Sequence, residues 1–438
     1  MKILLYVLNA LVIFCLSFSG VAQETSDGVT VVAVGEAGAI KARMTVVSDT
    51  KTEDIKEIIA SDFAFYVRTF EVLDTGAPIT GTLSQTIDHS HYNNKGLSYV
   101  LQLLRGKNDN AVVLKVWDIK SKGLLAEVEG VREDNVRGLA HTLSDYAYQK
   151  LLNKKSVFKT KIIFVSDVLG SPKNPIKELY ISDFDGHNLR QLTRHSGNVL
   201  SPSFSNNGKK IVYSLIRGQN FRGRNIDLFI YDVDSKKSEI LSSFPGINSG
   251  AVFLPGDQEV LLTTSHSGNA EIYRMNIKTK ELTQITSHPA PDVDPSINRD
   301  GSLMAFLSGR PGKAEIYLSD PSGMEKDVRR ISFVGEFNAT PRFSTDGKEI
   351  VFSSWINNSF DIFRINSDAS GLVRLTKDFG SNEAPVFSPD GEFIAFTSQR
   401  VISSRSAVQN IYIMGRDGEI IRPITNKMGN CSTPRWSN

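Results

Sequence analysis

From residue 178 onward, hydrophobic and polar positions recur in one pattern. Each repeat opens with an acidic residue or Asn, an aliphatic residue and an aromatic residue. The opening triads are Glu178-Leu179-Tyr180, Asp227-Leu228-Phe229, Glu271-Ile272-Tyr273, Glu315-Ile316-Tyr317, Asp361-Ile362-Phe363 and Asn410-Ile411-Tyr412. Their aromatic residues are spaced 49, 44, 44, 46 and 49 residues apart, close to the period of about 40–50 residues that is typical of a four-stranded propeller blade. The pattern therefore predicts a six-bladed β-propeller.

The second half of each repeat predicts a hairpin followed by a half-buried strand. Asp346-Gly347 and Asp390-Gly391 tolerate the positive φ that a tight turn demands. The residues after such a turn alternate between apolar and polar, as at Ile350 and Phe352. In the repeat at 252–257, Gly256 precedes Asp257, so this hairpin is expected to be the least regular.

The two ends of the repeat array complement each other. The last repeat stops at Asn438, where a turn and an alternating strand are still missing. Residues 161–167 have the pattern of that missing strand. We therefore expect strand 161–167 to complete the last blade from the N-terminal side and to close the ring, which leaves only short, protected edges.

The start of the chain has the three parts of a secretory signal. Lys2 is basic, the stretch after it is almost entirely apolar, and Gly20-Val21-Ala22 offers small residues for cleavage. The apolar stretch, about 14 residues long, is shorter than the roughly 20 that a membrane-spanning helix needs. We expect cleavage after Ala22 and export from the cytoplasm.

The segment between signal and repeats shows no trace of the repeat. Its hydrophobic periodicity predicts helices at 52–66 and 134–152 and strands at 29–34, 44–47, 97–103 and 111–117. The predicted organisation is a signal peptide at 1–22, a smaller α+β domain at 23–155 and the propeller at 156–438.

Composition excludes several classes of function. The chain has 50 Lys and Arg against 48 Asp and Glu, a net charge of +2, which argues against nucleic acid as a partner. Cys15 and Cys431 are the only cysteines, so neither a disulfide framework nor a thiolate metal cluster can form.

Candidate chemistry is sparse. The sequence contains no G-x-S-x-G elbow, H-E-x-x-H, P-loop or dinucleotide-binding glycine motif. Asp292, Asp294 and Glu383 are predicted to lie at the mouth of the ring, where they would hold a cation such as calcium in the channel. The same carboxylates would serve a propeller-type periplasmic hydrolase or lyase. A further alternative is a module that binds polysaccharide, which would need exposed aromatic residues at the rim.

The combination of signal peptide, α+β domain and repeats resembles the TolB family of the bacterial Tol-Pal system. The most specific stretches are Arg137 to Asp145, Phe158 to Val165, and Tyr180 to Gly186 through Leu192-Thr193 to Leu200-Ser201-Pro202. The resemblance extends over essentially the whole mature chain. It implies a monomeric periplasmic protein without enzymatic activity. The role that it implies is support of outer-membrane integrity and of constriction at cell division.

The resemblance also implies partners. Members of the family bind the peptidoglycan-associated lipoprotein Pal at the propeller mouth and the C-terminal domain of TolA through the segment after the signal, and other outer-membrane proteins are further candidates. The expected Pal-binding residues precede each Pro, as turns on one rim: Leu200, Ser201, Ile247, Asn248, Ser249, Asp292, Val293, Asp294, Ala339, Thr340, Glu383, Ala384, Ser432 and Thr433. Ile247 stands where family members often carry His, so a contact made by that imidazole is lost.

The expected TolA-binding segment is polar at its start and apolar afterwards. It comprises Gln23, Glu24, Thr25, Ser26, Asp27, Val29 and Val31. Such a segment can add a strand to the sheet edge of a partner. The alternative is an ordinary first strand of the α+β domain.

Overall fold

The computed structural model describes residues 40–75, 83, 86–108, 110–171, 176–216, 225–403 and 406–438. These residues divide into two compact units, one ending at Thr160 and the other running from Lys161 to Asn438. The expected signal peptide, the TolA-binding segment and the strand predicted at 29–34 lie outside the described residues. Within the described ranges, no helix is both long enough and apolar enough to cross a membrane.

The first unit is an α+β fold around a five-stranded sheet. Its elements are β1 (Ala42–Ser48), α1 (Glu53–Phe65), β2 (Phe70–Val72), α2 (His89–Asn94), β3 (Tyr99–Arg105), β4 (Ala111–Asp118), β5 (Gly123–Val131) and α3 (Val136–Leu152). The strand order is β2-β1-β3-β4-β5. The sequence located α1, α3, β1, β3 and β4, whereas β2 is too short to show a period and β5 is mostly exposed.

Aromatic side chains form much of the contact between α1 and α3. Phe63 lies against Phe70 with ring centroids 5.1 Å apart, and Tyr66 lies 4.5 Å from Tyr148. Phe158 packs on the same group. Phe63 lies on the buried face of α1 together with Ile55 and Ile59, the face that their helical spacing indicates.

The second unit is a propeller of four-stranded antiparallel sheets, which confirms the predicted fold class. Its strands are β6 (Lys161–Ser166), β7 (Glu178–Asp183), β8 (Arg190–Gln191), β9 (Asn198–Phe204), β10 (Lys210–Ile216), β11 (Ile226–Asp232), β12 (Lys237–Ser242), β13 (Asn248–Phe253), β14 (Glu259–Thr264), β15 (Glu271–Asn276), β16 (Leu282–Gln284), β17 (Asp292–Ile297), β18 (Met304–Ser308), β19 (Glu315–Ser319), β20 (Arg329–Arg330), β21 (Phe337–Phe343), β22 (Glu349–Ile356), β23 (Ser359–Asn366), β24 (Val373–Arg374), β25 (Ser381–Phe387), β26 (Phe393–Ser403), β27 (Ser406–Gly415), β28 (Ile420–Pro423) and β29 (Cys431–Trp436). We number the blades 1 to 6: β9–β12, β13–β16, β17–β20, β21–β24, β25–β28, and finally β29 with β6–β8.

Blade 6 joins the two ends of this unit. Its innermost strand is the C-terminal β29, which pairs antiparallel with β6 through Cys431 opposite Ser166 and Trp436 opposite Ile162. The inner strands contact one another around the ring, and β29 lies against both β25 and β9. The ring is thereby held by strand pairing, with Lys161 N–H also donating to Ser437 Oγ at 2.9 Å.

The hairpin that was expected to be irregular is not. In blade 2, Leu254 N–H donates to Glu259 O at 2.9 Å and Asp257 N–H donates to Leu254 O at 3.1 Å. Blade 1 makes the same two bonds at Ser205 and Gly208. Asp257 adopts a φ of 58°, and Asp is among the residues that tolerate this left-handed conformation, so the turn keeps its shape.

In the five triads that open with an acid, a Ser or Thr hydroxyl near the end of the same blade donates a hydrogen bond to that acid. In blade 2, Thr286 Oγ1 donates to Glu271 Oε2 at 2.7 Å and accepts the N–H of Ile272 at 2.9 Å. In blade 4, Thr376 Oγ1 likewise donates to Asp361 Oδ1 and accepts the N–H of Ile362. The repeated acid and the Thr after the fourth strand therefore satisfy each other's buried polar atoms.

Replacing Thr286 with Val should lower the free energy of unfolding by about 1–3 kcal/mol, because Glu271 and the N–H of Ile272 lose a partner inside the protein. Burial already raises the pKa of Glu271. Thr283, exposed in β16, supplies the control: Thr283→Val should change stability by less than about 0.5 kcal/mol. Urea unfolding of both variants measures the difference, and equal values would contradict a structural role for this hydroxyl.

Candidate partner-binding site at the propeller mouth

The inner strands all begin at the same end of the ring. Asn198, the first residue of β9, pairs with Ile216, the last residue of β10, and the other blades repeat this direction. We call this end the mouth. Loops that join second to third strands lie at the mouth as well, because each second strand ends there.

The expected Pal-binding residues lie at the mouth, but not in turns. Apart from Ile247, which directly precedes β13, they belong to the first halves of β9, β13, β17, β21, β25 and β29. The prediction of turns was wrong. Pro is normally excluded from strand interiors, yet an edge strand tolerates it because no ladder bond is lost on its open side, and each inner strand is an edge of its sheet.

A β-bulge interrupts every inner strand at the same place. The register shifts there, and one residue per blade adopts a left-handed φ of 46–63°. These residues are Ser201, Gly250, Asp294, Thr340, Ala384 and Thr433. A left-handed conformation is costly for a residue with a Cβ, and Pro follows the bulge residue in every blade except the second. The bulge turns this residue away from ordinary strand pairing.

Hydroxyl groups of the preceding blade support three of these bulges. Thr263 Oγ1 accepts the N–H of Asp294 at 3.2 Å. Ser353 Oγ accepts the N–H of Ala384, and Thr397 Oγ1 accepts that of Thr433, each at 3.1 Å. The bulges therefore connect neighbouring blades and fix the shape of the mouth.

The expected residues divide by exposure. Partly exposed are Ser201, Ile247, Ser249, Asp294, Ala339, Thr340, Glu383, Ser432 and Thr433, whereas Leu200, Asn248, Asp292, Val293 and Ala384 are buried. The buried residues pack within and between blades. Only the partly exposed set, mostly small and polar, is available to a partner in this conformation.

The three carboxylates considered as cation ligands are not brought together. Among the described residues, Asp292, Asp294 and Glu383 do not form a group whose oxygen atoms could hold one ion. Asp292 is fully buried and accepts from Arg310 Nη2 at 2.7 Å. Asp294 accepts from Arg342 Nη2 at 2.8 Å. These residues therefore do not fit the expected calcium site, because two of the carboxylates are already paired with different arginines.

Glu383 forms no ion pair with any of the described residues. Lys177, just before β7, is the cation that acts on Glu383 and lowers its pKa, but burial is the larger influence and raises that pKa to about 7. Burial also lowers the pKa of Lys177. Both groups are therefore poorly solvated near the mouth.

Two arginines of the inner strands were missed by the sequence reading. Arg342 in β21 and Arg435 in β29 are both buried, with 6% and 7% of their surface exposed. Each stands two residues after the left-handed residue of its blade. The only signal in the sequence was an Arg directly after Pro341 and directly after Pro434. The other repeats have an uncharged residue at that position.

A long hairpin in blade 5 rises past the mouth. β26 and β27 remain paired beyond Gln399, which is opposite the first residue of β25. At about 3.3 Å per residue, residues 400–403 extend it by roughly 13 Å. Val401 and Ile402 on this extension are 77% and 68% exposed. This apolar tip was not predicted from the sequence, because its residues continue the hydrophobic pattern of β26.

Phe333, on the loop before β21, is a third exposed apolar side chain. It is 70% exposed, and the guanidinium of Arg330 lies 4.4 Å from its ring centroid. The loop between β20 and β21 therefore presents an exposed aromatic ring with a cation against it, outside the loops that were expected to bind Pal.

Comparison with known proteins agrees with this fold. The family described as the TolB beta propeller domain matches residues 148–438. The Tol-Pal system protein TolB of Francisella tularensis subsp. mediasiatica is 29% identical over 313 residues, which cover 69% of each chain. The crystal structure of TolB from Acinetobacter baumannii superposes with a TM-score of 0.77 and 23% identity, over 91% of this chain and 97% of that one. The family match extends over more than half of the sequence, and on that ground the chain belongs to the TolB β-propeller family.

Proposed function

We propose that this chain is a periplasmic protein of a Tol-Pal system and that its propeller mouth binds the peptidoglycan-associated lipoprotein Pal. The names of the curated relatives support the system. The observation that carries the binding site is the ring of partly exposed, mostly small residues on bulged inner strands. Residues held on strands by hydrogen bonds between blades suit a preformed protein interface.

The exposed apolar tip at Val401 and Ile402 supports a protein as the ligand. It reaches beyond the start of β25 at the mouth, so a partner seated over the channel would contact it from the side. Exposed apolar residues beside a polar ring give the mixture of apolar and polar contacts that protein interfaces use.

We further propose that residues 23–31 bind the C-terminal domain of TolA by strand addition. The support is the sequence of that segment, polar at Glu24 and Asp27 and then alternating around Val29 and Val31. Together, the two sites would let one chain connect two envelope proteins, in support of outer-membrane integrity and constriction at division. The role is that of a non-catalytic connecting protein.

The enzymatic alternative finds less support. A hydrolase or lyase would need Asp292, Asp294 and Glu383 to converge on a substrate. Instead, Asp292 and Asp294 are paired with Arg310 and Arg342, and Asp292 is fully buried. A polysaccharide-binding module would stack sugars on exposed rings, and Phe333 is the residue to test for that.

Replacing Thr340 with Arg should weaken Pal binding at least about thirtyfold, because a long cation at a central contact costs about 2 kcal/mol or more. Thr340 is partly exposed at the mouth. Biolayer interferometry with the soluble domain of Pal from the same organism measures the change. Gln258→Arg is the matched control, since Gln258 is exposed in the turn at the opposite end of blade 2, and it should bind as the unaltered protein does.

Absence of Pal binding by the unaltered protein would refute the proposed partner. Equal loss in both variants would refute the mouth as the site. Capture from detergent-solubilised envelopes, with the same two variants, then tests whether Pal is recovered from its natural setting.

A further inference from the structure

The part of the propeller channel that Arg342 and Arg435 line carries more positive than negative charge. Arg342 and Arg435 occupy equivalent positions on β21 and β29, inner strands that are separated by β25. Both side chains are buried, and Arg342 reaches Asp294 on the inner strand of the neighbouring blade. The equivalent residues of the other blades are uncharged: Ser203, Val252, Ser296 and Val386.

The carboxylate of Asp294 is paired with only one of the two guanidinium groups. Asp294 Oδ1 accepts from Arg342 Nη2 at 2.8 Å, whereas Arg435 forms no ion pair with any of the described residues and donates only to a backbone carbonyl. The level of the two arginines therefore has one uncompensated positive charge.

The donors of these arginines are only partly used. Arg435 Nη1 donates to the carbonyl of Pro434 at 2.9 Å, and Arg342 Nη1 donates to that of Pro341 at 2.6 Å. Arg342 Nε is buried and has no hydrogen-bond partner among the described residues. Neutral carbonyls do not balance the charge of a guanidinium.

This arrangement is costly unless an anion completes it. A buried cation loses its hydration, and Asp294 offsets this loss for Arg342 but not for Arg435. Burial and the neighbouring Arg342 lower the pKa of Arg435 to about 9, which still leaves the group charged at neutral pH. An added anion would be stabilised by both guanidinium groups.

We infer that the channel binds a carboxylate group between Arg342 and Arg435. Guanidinium donors form a planar fork that matches the two oxygens of a carboxylate, and two such forks favour this anion over a spherical one. The carboxylate has two possible sources: a small free acid, or an acidic side chain that a partner at the mouth inserts. The second source rests on the proposed function, whereas the first does not.

Titration with ¹³C-labelled acetate tests the site directly. Line broadening of the acetate resonance in the presence of the full mature protein gives a dissociation constant. Arg435→Met should weaken acetate binding by about tenfold or more, since a charged hydrogen bond contributes about 1.5–3 kcal/mol. This variant removes a buried charge and keeps apolar volume, so it is expected to fold.

Asp294→Asn should change the affinity for acetate in the opposite direction. It removes the carboxylate that already occupies part of the site, and acetate should then bind about tenfold more tightly. A merely unfolded or damaged variant would not gain affinity. Equal acetate binding by the unaltered protein and both variants, or no binding at all, would overturn the inference.

Competition separates the two sources. If a partner's acidic side chain fills the site, saturating acetate should weaken binding of the soluble Pal domain severalfold, and Arg435→Met should remove that dependence. If a free acid fills the site, acetate binds and Pal affinity is unchanged. Failure of Pal to bind at all, with acetate binding intact, would refute the proposed function and leave the carboxylate site standing.

Discussion

Replacing Arg310 with Met should lower the free energy of unfolding by about 3–5 kcal/mol at pH 8, because it leaves the fully buried carboxylate of Asp292 without its cation. Arg310 Nη2 donates to Asp292 Oδ2 at 2.7 Å. Glu271 is a second nearby acid that raises the cost, since Asp292 and Glu271 repel each other. Urea unfolding followed by circular dichroism measures the loss.

The other blades supply the matched control. Asn248, Asn338 and Asn382 stand where blade 3 has Asp292, two residues before the left-handed residue. Asn338 Nδ2 donates to Glu315 Oε2 at 2.8 Å, a bond that an ionised Asp cannot make. Asp292→Asn should therefore change stability by less than about 1 kcal/mol, and the double variant Asp292→Asn/Arg310→Met should recover at least half of the loss.

The loss in Arg310→Met should shrink at lower pH. Burial raises the pKa of Asp292 above its ordinary 3.8, and Arg310 opposes that rise. Without Arg310 the folded-state pKa rises further, so the folded protein binds a proton more readily than the unfolded chain does. The penalty is complete above the folded-state pKa and is relieved as the pH falls through it. Measured against the unaltered protein at each pH, a defect as large at pH 5 as at pH 8 would contradict an uncompensated carboxylate.

Ending the chain before Cys431 should leave most of the propeller unfolded at 37 °C. The truncation removes β29, the inner strand of blade 6, and exposes the edge of β6. Trp436 and Cys431 are both buried, and loss of a buried Trp alone costs about 3–5 kcal/mol, a large part of the 5–15 kcal/mol that stabilises a typical domain.

Removal of the exposed Asn438 alone provides the control. This shorter truncation leaves β29 and its pairing with β6 in place, so its melting temperature should stay within a few degrees of that of the full chain. A truncated chain that lacks β29 and melts with the same midpoint and cooperativity would show that strand pairing between the chain ends does not hold the ring.

The repeats of the sequence predicted the propeller because blade structure is local. A blade needs a tight turn, an alternating strand and an aromatic residue at fixed spacings, and Asp346-Gly347 with Ile350 and Phe352 show this in one stretch. The α+β unit was located by the same periodicities at α1 and α3. The elements that escaped prediction, such as β2, are too short for any period to appear.

The site was only partly predictable. The sequence pointed to the residues before each Pro, and these do lie at the mouth, but it could not distinguish the buried Asn248 from the partly exposed Thr340. It grouped Asp292, Asp294 and Glu383 because they are acids at similar repeat positions. Neighbours from other parts of the repeat, Arg310 and Lys177 among them, decide what each acid does.

The sequence by itself determined the number of blades, the closing strand, the class of the N-terminal unit and the family. These properties depend on spacings of a few to about fifty residues, which are visible along the chain. Only the tertiary structure decided the bulged inner strands, the burial of Asp292 and the meeting of Arg342 with Arg435. Arg342 also pairs with Asp294, 48 positions away, because the inner strands of neighbouring blades pack side by side.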